Sequence, residues 1–286
     1  MAVATLHRPQ ALARCLEALA AGTVQPAEVI VVDQGEEAGP VVAAFRARLP
    51  VRRLVQKRRG LAASRNLALA EARLPILAVT DDDCVPDAGW VAALERALHS
   101  PALDAVTGPV LPLGPESPDL YAVSSRTSRS PADFWGRAVP WIVGTGGNFA
   151  GRRAAILRAG GFDERLGAGS PGGAGEDMDL LYRLLRAGAR IRYEPEALVY
   201  HERQPRERRR ATRSAYGRGI GACCGLWLRG RDLHALAVLG SWLRMRAAIA
   251  ARAIGRRQWS AIGEELLVLS GTARGLIYGL RSGKAE

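Results

Sequence analysis

Short apolar runs alternate with amphipathic segments along the N-terminal third of the chain, and this alternation sets the expected architecture. Residues 29–32 (Val-Ile-Val-Val) and 76–79 (Ile-Leu-Ala-Val) are uninterrupted apolar runs of strand length, and 51–56 is a third, more polar strand. Strands that are apolar throughout belong to parallel sheets covered on both faces. Helical spacing appears between them. Leu12, Cys15, Leu16 and Leu19 recur at i, i+3, i+4 and i+7, and Gly22 ends that segment. Further helices are expected at 38–48, at 61–72 behind the basic turn Lys57-Arg58-Arg59-Gly60, and through Trp90, Val91, Leu94 and Leu98. Residues 2–4 read as a first strand clipped close to Met1. Strand and helix in units of this length predict an α/β fold with a doubly wound, mostly parallel sheet, Rossmann-like in its winding. Right-handed crossovers bring the strands' C-terminal ends to one edge, so Thr5, Asp33, Arg58 and the acidic end of the fourth strand are expected to share a crevice.

That acidic end is Asp81-Asp82-Asp83. Adjacent carboxylates repel, and the cost is met by a cation or by cationic side chains. No lysine or arginine occurs in the ten residues that follow, and only Arg73 lies close before. Hard oxygen ligands at a strand's C-terminal end suit Mg²⁺ or Mn²⁺ bridging to substrate phosphates. The other reading of the same residues is an acidic turn capping the helix that begins near Asp87.

Past the sheet's first half the pattern weakens. Residues 109–140 lack periodicity, and loops of such length are functional or mobile. In Val143-Gly144-Thr145-Gly146-Gly147-Asn148-Phe149 the glycines either admit backbone to a ligand or form a tight strand junction. A glycine-rich, lid-like loop over 160–175 delivers Glu176-Asp177-Met178-Asp179 to a helix whose core face is Leu180, Leu181, Leu184 and Leu185. Carboxylates suit a helix's first turn, and one beside a flexible loop has what a general base needs. Asp179 and Arg183, at i and i+4, read as a surface pair. Strands at 190–193 and 197–200 follow, and His201 at the second strand's end is a candidate third metal ligand.

Charge changes the picture only when located. The chain of 286 residues is 48% apolar, 24% charged and carries +12, which fits a folded domain with an appendage. Residues 1–200 hold 23 basic and 22 acidic side chains, whereas 201–286 hold 17 and 6. A basic, apolar tail points to an anionic partner, membrane or nucleic acid. In it Trp259, Ile262, Leu266, Leu269, Ala273, Leu276 and Leu280 form one helical stripe. The stripe either packs on the rest of the molecule or a second subunit, or lies at a membrane interface with Trp227, Trp242 and Trp259 as anchors. Arg244, Arg246 and Arg252 argue against a spanning helix there. The cysteines (15, 84, 223 and 224) show no CxxC pair, and no leader is visible, so a reduced, cytoplasmic setting is expected, with peripheral attachment at the membrane's inner face.

Together these residues resemble the family-2 glycosyltransferases, which have the GT-A fold and bind nucleotide-sugars. The resemblance covers 1–203. Thr5-Leu6-His7-Arg8-Pro9 is similar to the family's opening turn, with Ala4 and His7 where Pro and Asn are usual. Val31-Val32-Asp33-Gln34-Gly35 resembles the strand end whose aspartate holds the base. Arg59-Gly60-Leu61-Ala62-Ala63-Ser64-Arg65-Asn66 resembles its glycine-rich segment. Asp81-Asp82-Asp83 resembles its metal-binding Asp-x-Asp. Gly146-Gly147-Asn148 and Gly160-Gly161-Phe162-Asp163-Glu164 resemble its acceptor half, Glu176-Asp177 the motif of its catalytic base, and Tyr200-His201-Glu202 a histidine near the metal.

The resemblance implies a metal-dependent inverting hexosyltransferase acting in envelope polysaccharide, glycolipid or glycoconjugate synthesis. Residues 1–108 would bind the donor, a UDP-, GDP- or dTDP-sugar, and 109–203 the hydroxyl acceptor, lipid-linked if the tail meets membrane. Residues 204–286 would be a basic helical extension. It assigns Thr5, Arg8, Asp33, Arg59, Arg65, Asp81 and Asp82 to the nucleotide-sugar, and Gly146, Gly147 and Asn148 to the acceptor. Asp177 and Glu176 go to catalysis, and Asp81, Asp83 and His201 to Mn²⁺ or Mg²⁺, with the choice between Asp81 and Asp82 at the metal left open. A sugar-nucleotidyltransferase would want a glycine-rich loop after the first strand, and residues 5–9 contain no glycine. A basic binding protein with an inactive crevice is the reading from another class; no aromatics stud the arginine run 203–213, so nucleic acid is not expected.

Overall fold

The computed structural model describes residues 1–283. The expected winding opens the chain: β1 (Ala2–Thr5), α1 (Pro9–Ala20), β2 (Val29–Asp33), α2 (Gly39–Phe45), β3 (Val51–Val55), α3 (Leu61–Glu71) and β4 (Ile76–Asp81). Then come β5 (Cys84–Pro86), α4 (Trp90–Leu98), β6 (Ala105–Thr107), β7 (Val110–Pro112), β8 (Leu120–Tyr121), β9 (Ala132–Phe134) and α5 (Pro140–Val143). The chain continues with β10 (Phe149–Arg152), α6 (Arg153–Arg158), α7 (Glu176–Arg186), β11 (Ile191–Tyr193), β12 (Val199–His201) and β13 (Gln204–Pro205). Three long helices close the described chain: α8 (Arg209–Arg229), α9 (His234–Gly255) and α10 (Trp259–Arg281).

Eight strands form one sheet in the order β3-β2-β1-β4-β10-β6-β11-β9. Strands β3, β2, β1 and β4 pair in parallel, so the N-terminal part is doubly wound as expected. Antiparallel β10 enters between β4 and β6, and places the Gly146-Gly147 turn beside the carboxylate end of β4. Alternate side chains of these strands serve opposite faces. Val3, Val29 and Val31 pack with Leu12, Leu16 and Trp90, from α1 and α4, on one face. Ile30, Val32 and Val79 pack with Leu69, Leu181 and Leu184, from α3 and α7, on the other. Each such buried aliphatic side chain contributes about 1.5–3 kcal/mol over its exposed state. The aperiodic stretch 109–140 holds the short strands β7, β8 and β9, too brief to print a period on the sequence.

The tail packs onto α7 by a contact that corrects one expectation. The Trp227 ring of α8 stacks on Tyr182 with centroids 3.7 Å apart. Its Nε1 donates to Asp179 at 2.8 Å, while Arg183 Nε donates to the same carboxylate at 2.7 Å. Asp179 is therefore buried, and the pair is internal rather than on the surface.

Within the tail, α8 and α10 meet along glycines. A Cβ on Gly221 would lie 2.1 Å from the Thr272 carbonyl oxygen, and one on Gly275 would lie 2.0 Å from that of Arg218. Gly217, Gly221 and Gly225 thus face Gly271, Gly275 and Gly279, a small-residue seam that lets backbones touch. The apolar stripe points away from this seam: Trp259, Leu266, Ala273 and Leu280 are exposed. Ile262, Leu269 and Leu276 of the same stripe are half-buried, and Leu276 packs against the cluster of Leu166, Tyr182 and Trp227. No helix among the described residues is long and apolar enough to cross a membrane.

Candidate active site

The ends of β1, β2 and β4, the turn before β10 and the start of α7 surround a cleft of about 720 Å³. Thr5, Arg8, Arg59, Arg65, Asp81, Asp82, Asp83, Gly146, Gly147, Glu176, Asp177 and His201 all line it. Residues distant in sequence are thus brought together as expected. Asp33 and Asn148 are not.

Asp33 lies fully buried, and its carboxylate is spent on the turn that follows β2. It accepts from the Gly35 and Ala38 backbone N–H groups at 3.0 and 2.8 Å, and from Arg53 Nε at 2.9 Å. Gln34, not Asp33, reaches the cleft wall. Asn148 is equally internal: Trp90 Nε1 donates to its Oδ1 at 2.8 Å, and its Nδ2 donates to the Pro109 and Ala197 carbonyls. It locks β10 to its neighbours and does not face an acceptor.

The adjacent aspartates are partly answered by two arginines from elsewhere in the chain. Arg8 Nη1 donates to Asp83 at 2.7 Å and to Asp82 at 3.2 Å. Arg65, buried, spans Asp81 at 2.8 Å and Glu176 at 2.7 Å. Thr5 Oγ1 donates to Asp82 at 2.8 Å. Five carboxyl groups (Asp81, Asp82, Asp83, Glu176 and Asp177) thus share one cleft with the paired guanidiniums of Arg8 and Arg65, and Arg59 and Arg126 also line it. Burial pushes the Asp82 carboxyl up to about 6, against the pull of Arg8. Burial also raises Asp83, with His201 pulling it down.

The chemistry of the donor set fits a hard divalent ion. Ligand atoms of Asp81, Asp83, Cys84 and His201 lie within 4.8 Å of one another. His201 Nδ1 contacts the Glu202 carbonyl oxygen at 2.7 Å. A carbonyl only accepts, so Nδ1 carries a proton, and Nε2 faces Asp83 at 3.5 Å. Metal-bound histidines are oriented in this way, their other N–H on a backbone oxygen. Burial drives the Cys84 thiol well above its ordinary range, and a hard ion prefers the oxygen and nitrogen ligands of the cluster to its soft sulfur.

Asp177 faces this group from the first turn of α7. Gly146 N–H donates to its Oδ2 at 2.7 Å, and Met178 N–H to its Oδ1 at 2.8 Å. The glycine turn is required by this approach. A Cβ on Gly146 would lie 2.6 Å from Arg65 Nη1 and 2.9 Å from Asp177 Cβ; one on Gly147 would lie 3.0 Å from Asp81. Glu176, beside it, is locked on Arg65. It lines the cleft but is buried, and its Oε1 accepts from Arg65.

Residues 1–158, more than half of the chain, match the family model described as Glycosyl transferase family 2. The chain belongs to that family. The pre-mycofactocin glycosyltransferase of Mycobacterium tuberculosis is 32% identical over 171 residues, which is 57% of this chain and 34% of that protein. Chondroitin synthase of Escherichia coli is 27% identical over 249 residues, 74% of this chain and 36% of that one. The chain therefore spans about a third of the length of these relatives. Among solved structures, a Pyrobaculum calidifontis mannosyltransferase in complex with GDP-Man and Mn²⁺ superposes with a TM-score of 0.64 at 18% identity. That alignment covers 96% of this chain and 86% of the other. Residues 1–349 of Staphylococcus aureus TarS superpose with a TM-score of 0.63 at 16% identity, covering 97% and 85%. The fold is GT-A.

This family-2 site has a wall that the sequence did not reveal. Thr212, Ala215 and Tyr216 of α8 and Trp242 of α9 line the cleft with Trp141 and Met178. Tyr216 and Ser124 share a hydrogen bond of 3.0 Å between their hydroxyls, and Trp141 meets Trp242 edge-on at 5.6 Å. No local motif marks a helix of the tail as part of a cleft, so only its packing on α7 discloses the wall.

Proposed function

We propose that this chain transfers a sugar from a nucleoside-diphosphate sugar to an acceptor hydroxyl, with inversion and with a divalent ion. The observation that carries the reading is one cleft holding both a hard-ligand cluster and a separate, backbone-oriented carboxylate, Asp177. Asp81, Asp83 and His201 would hold Mn²⁺ or Mg²⁺, whose charge balances a diphosphate. The Pyrobaculum mannosyltransferase, solved with GDP-Man and Mn²⁺, supports the same choice.

The chain's own residues supply the rest. Thr5, Gln34 and Gly60 border the donor side. Arg59, exposed and with no side-chain partner among the described residues, is free to meet phosphate. Asp177 takes the proton from the acceptor hydroxyl as that oxygen attacks the anomeric carbon. The carbon–oxygen bond to the diphosphate breaks on the opposite face, which inverts the configuration. Arg8 and Arg65 hold the aspartates in place through this step.

The catalytic unit in this reading is 1–203, with a donor half over 1–108 and an acceptor half over 109–203. The basic helices of 204–286 complete the acceptor side through Tyr216 and Trp242. Relatives named chondroitin synthase and pre-mycofactocin glycosyltransferase support a polysaccharide or glycoconjugate product. Four free, buried cysteines support a reducing, cytoplasmic setting. Calorimetry with UDP-, GDP- and dTDP-sugars tests the donor and the ion together. One donor should bind in the presence of Mn²⁺ and lose about tenfold or more in Asp83→Ala. Equal binding in a chelator would overturn the metal dependence.

A further inference from the structure

The outward faces of α9 and α10 form an unpartnered apolar surface with a regular pattern. On α9 it consists of Leu236, Leu243 and Ile254; on α10, of Trp259, Leu266 and Ile277. Within each helix these residues stand 7 and then 11 positions apart, and at 3.6 residues per turn each set falls on one narrow line. The exposures are high for such side chains: 58% at Ile254, 73% at Trp259 and 62% at Leu266. The glycine seam occupies the opposite side of α10, so the apolar line is surplus to the helix packing.

Arginines flank both lines. Arg244 on α9, Arg256 and Arg257 at its end, and Arg274 on α10 are exposed, and none has an acidic partner among the described residues. The acidic side chains of these helices and their connections are already engaged. Asp232 accepts from Arg186 and Tyr182, Glu264 from Arg209, and Glu265 lies buried against Arg213 and Arg246. A second copy laid on this face would bring arginine against arginine, with no free carboxylate of the described helices between them. An anionic lipid surface supplies what both features lack: headgroup phosphates for the arginines and an acyl boundary for the apolar lines. Trp259, with an apolar body and a polar N–H, suits headgroup depth. No helix among the described residues is long and apolar enough to span, so the helices would lie in the interface plane.

We propose that the α9–α10 face docks this protein on an anionic membrane surface. The docking is independent of the sugar-transfer reading, because it uses none of the cleft residues.

Flotation of the full chain with vesicles tests it, one set of phosphatidylcholine alone and one of equal parts phosphatidylcholine and phosphatidylglycerol. The expected result is binding to the mixed vesicles about tenfold or more above the neutral ones, weakened by high salt. Leu243→Asp and Leu266→Asp, both at exposed positions, should each lower the bound fraction several-fold while leaving the circular-dichroism melt in place. Wild-type tryptophan fluorescence should also be quenched by brominated lipid in the mixed vesicles, a readout that needs no variant. Absence of binding to the mixed vesicles, or binding unchanged by either substitution, overturns the proposal. So does a dimer in light scattering that Leu266→Asp splits while vesicles bind nothing, which would assign the face to a second copy. None of these readouts requires donor or acceptor, so failure here leaves the reaction untouched and the reverse holds too.

Discussion

Arg65 shows how single residues decide this site. It is buried with one amino group on Asp81 and the other on Glu176, so it ties the end of β4 to the start of α7. Burial raises the Glu176 carboxyl to about 7, with Arg65 opposing and Asp177 adding to the rise. A carboxyl raised in the folded state contributes stability that is full below about pH 4.5 and is lost as pH rises through about 7. Urea unfolding across that window should show stability falling with pH, and Glu176→Gln should flatten the slope. An unchanged slope would show that Glu176 does not titrate there. The carboxylates themselves were legible, because three adjacent aspartates at a strand end and an aspartate opening a helix are local patterns. Their partners were not. Arg8 lies 74 residues from Asp82, and Asn148 is claimed by Trp90 from 58 residues away. Asp33 looked available for the same reason: Arg53, which neutralises it, sits on the adjacent strand, 20 positions on.

At the scale of elements, hydropathy located the four parallel strands β1–β4, the strands β11 and β12, and the helices α1–α4 and α7, since each buries an apolar face whose pattern the sequence displays; the short strands between β4 and β11 left no such pattern. The tail misled for a physical reason. Four of the seven residues of its conspicuous apolar stripe face outward, and the face on which α10 meets α8 is a row of glycines that carries no hydropathy signal. Two glycine substitutions in one helix should therefore have opposite effects. Gly263 has nothing within 4 Å of an added Cβ, so Gly263→Ala should stabilise by up to about 1 kcal/mol through helix propensity. Gly275→Ala would set a methyl 2.0 Å from backbone, and separating α8 from α10 should cost about 1–3 kcal/mol net. Thermal melts of the two variants check both signs; a stabilised Gly275→Ala would contradict the seam.

On the scale of the whole molecule, the winding brings one edge of a sheet, one glycine turn and one helix start to a common cleft, and the tail supplies its far wall. Charge follows the same division. The catalytic half is nearly neutral overall and gathers its carboxylates inward, whereas the tail carries the excess of arginines. Cleft and docking face thus separate chemistry from placement, and each can be tested without the other. The central claim is that Asp177 deprotonates the acceptor in this cleft. Turnover of the donor that binds should be measured with Mn²⁺ for wild type beside Asp177→Asn, with donor affinity measured in parallel. The expected result is a loss of about 10²–10⁴ in kcat with donor affinity nearly unchanged. Asp177→Asn turning over at the wild-type rate would contradict it.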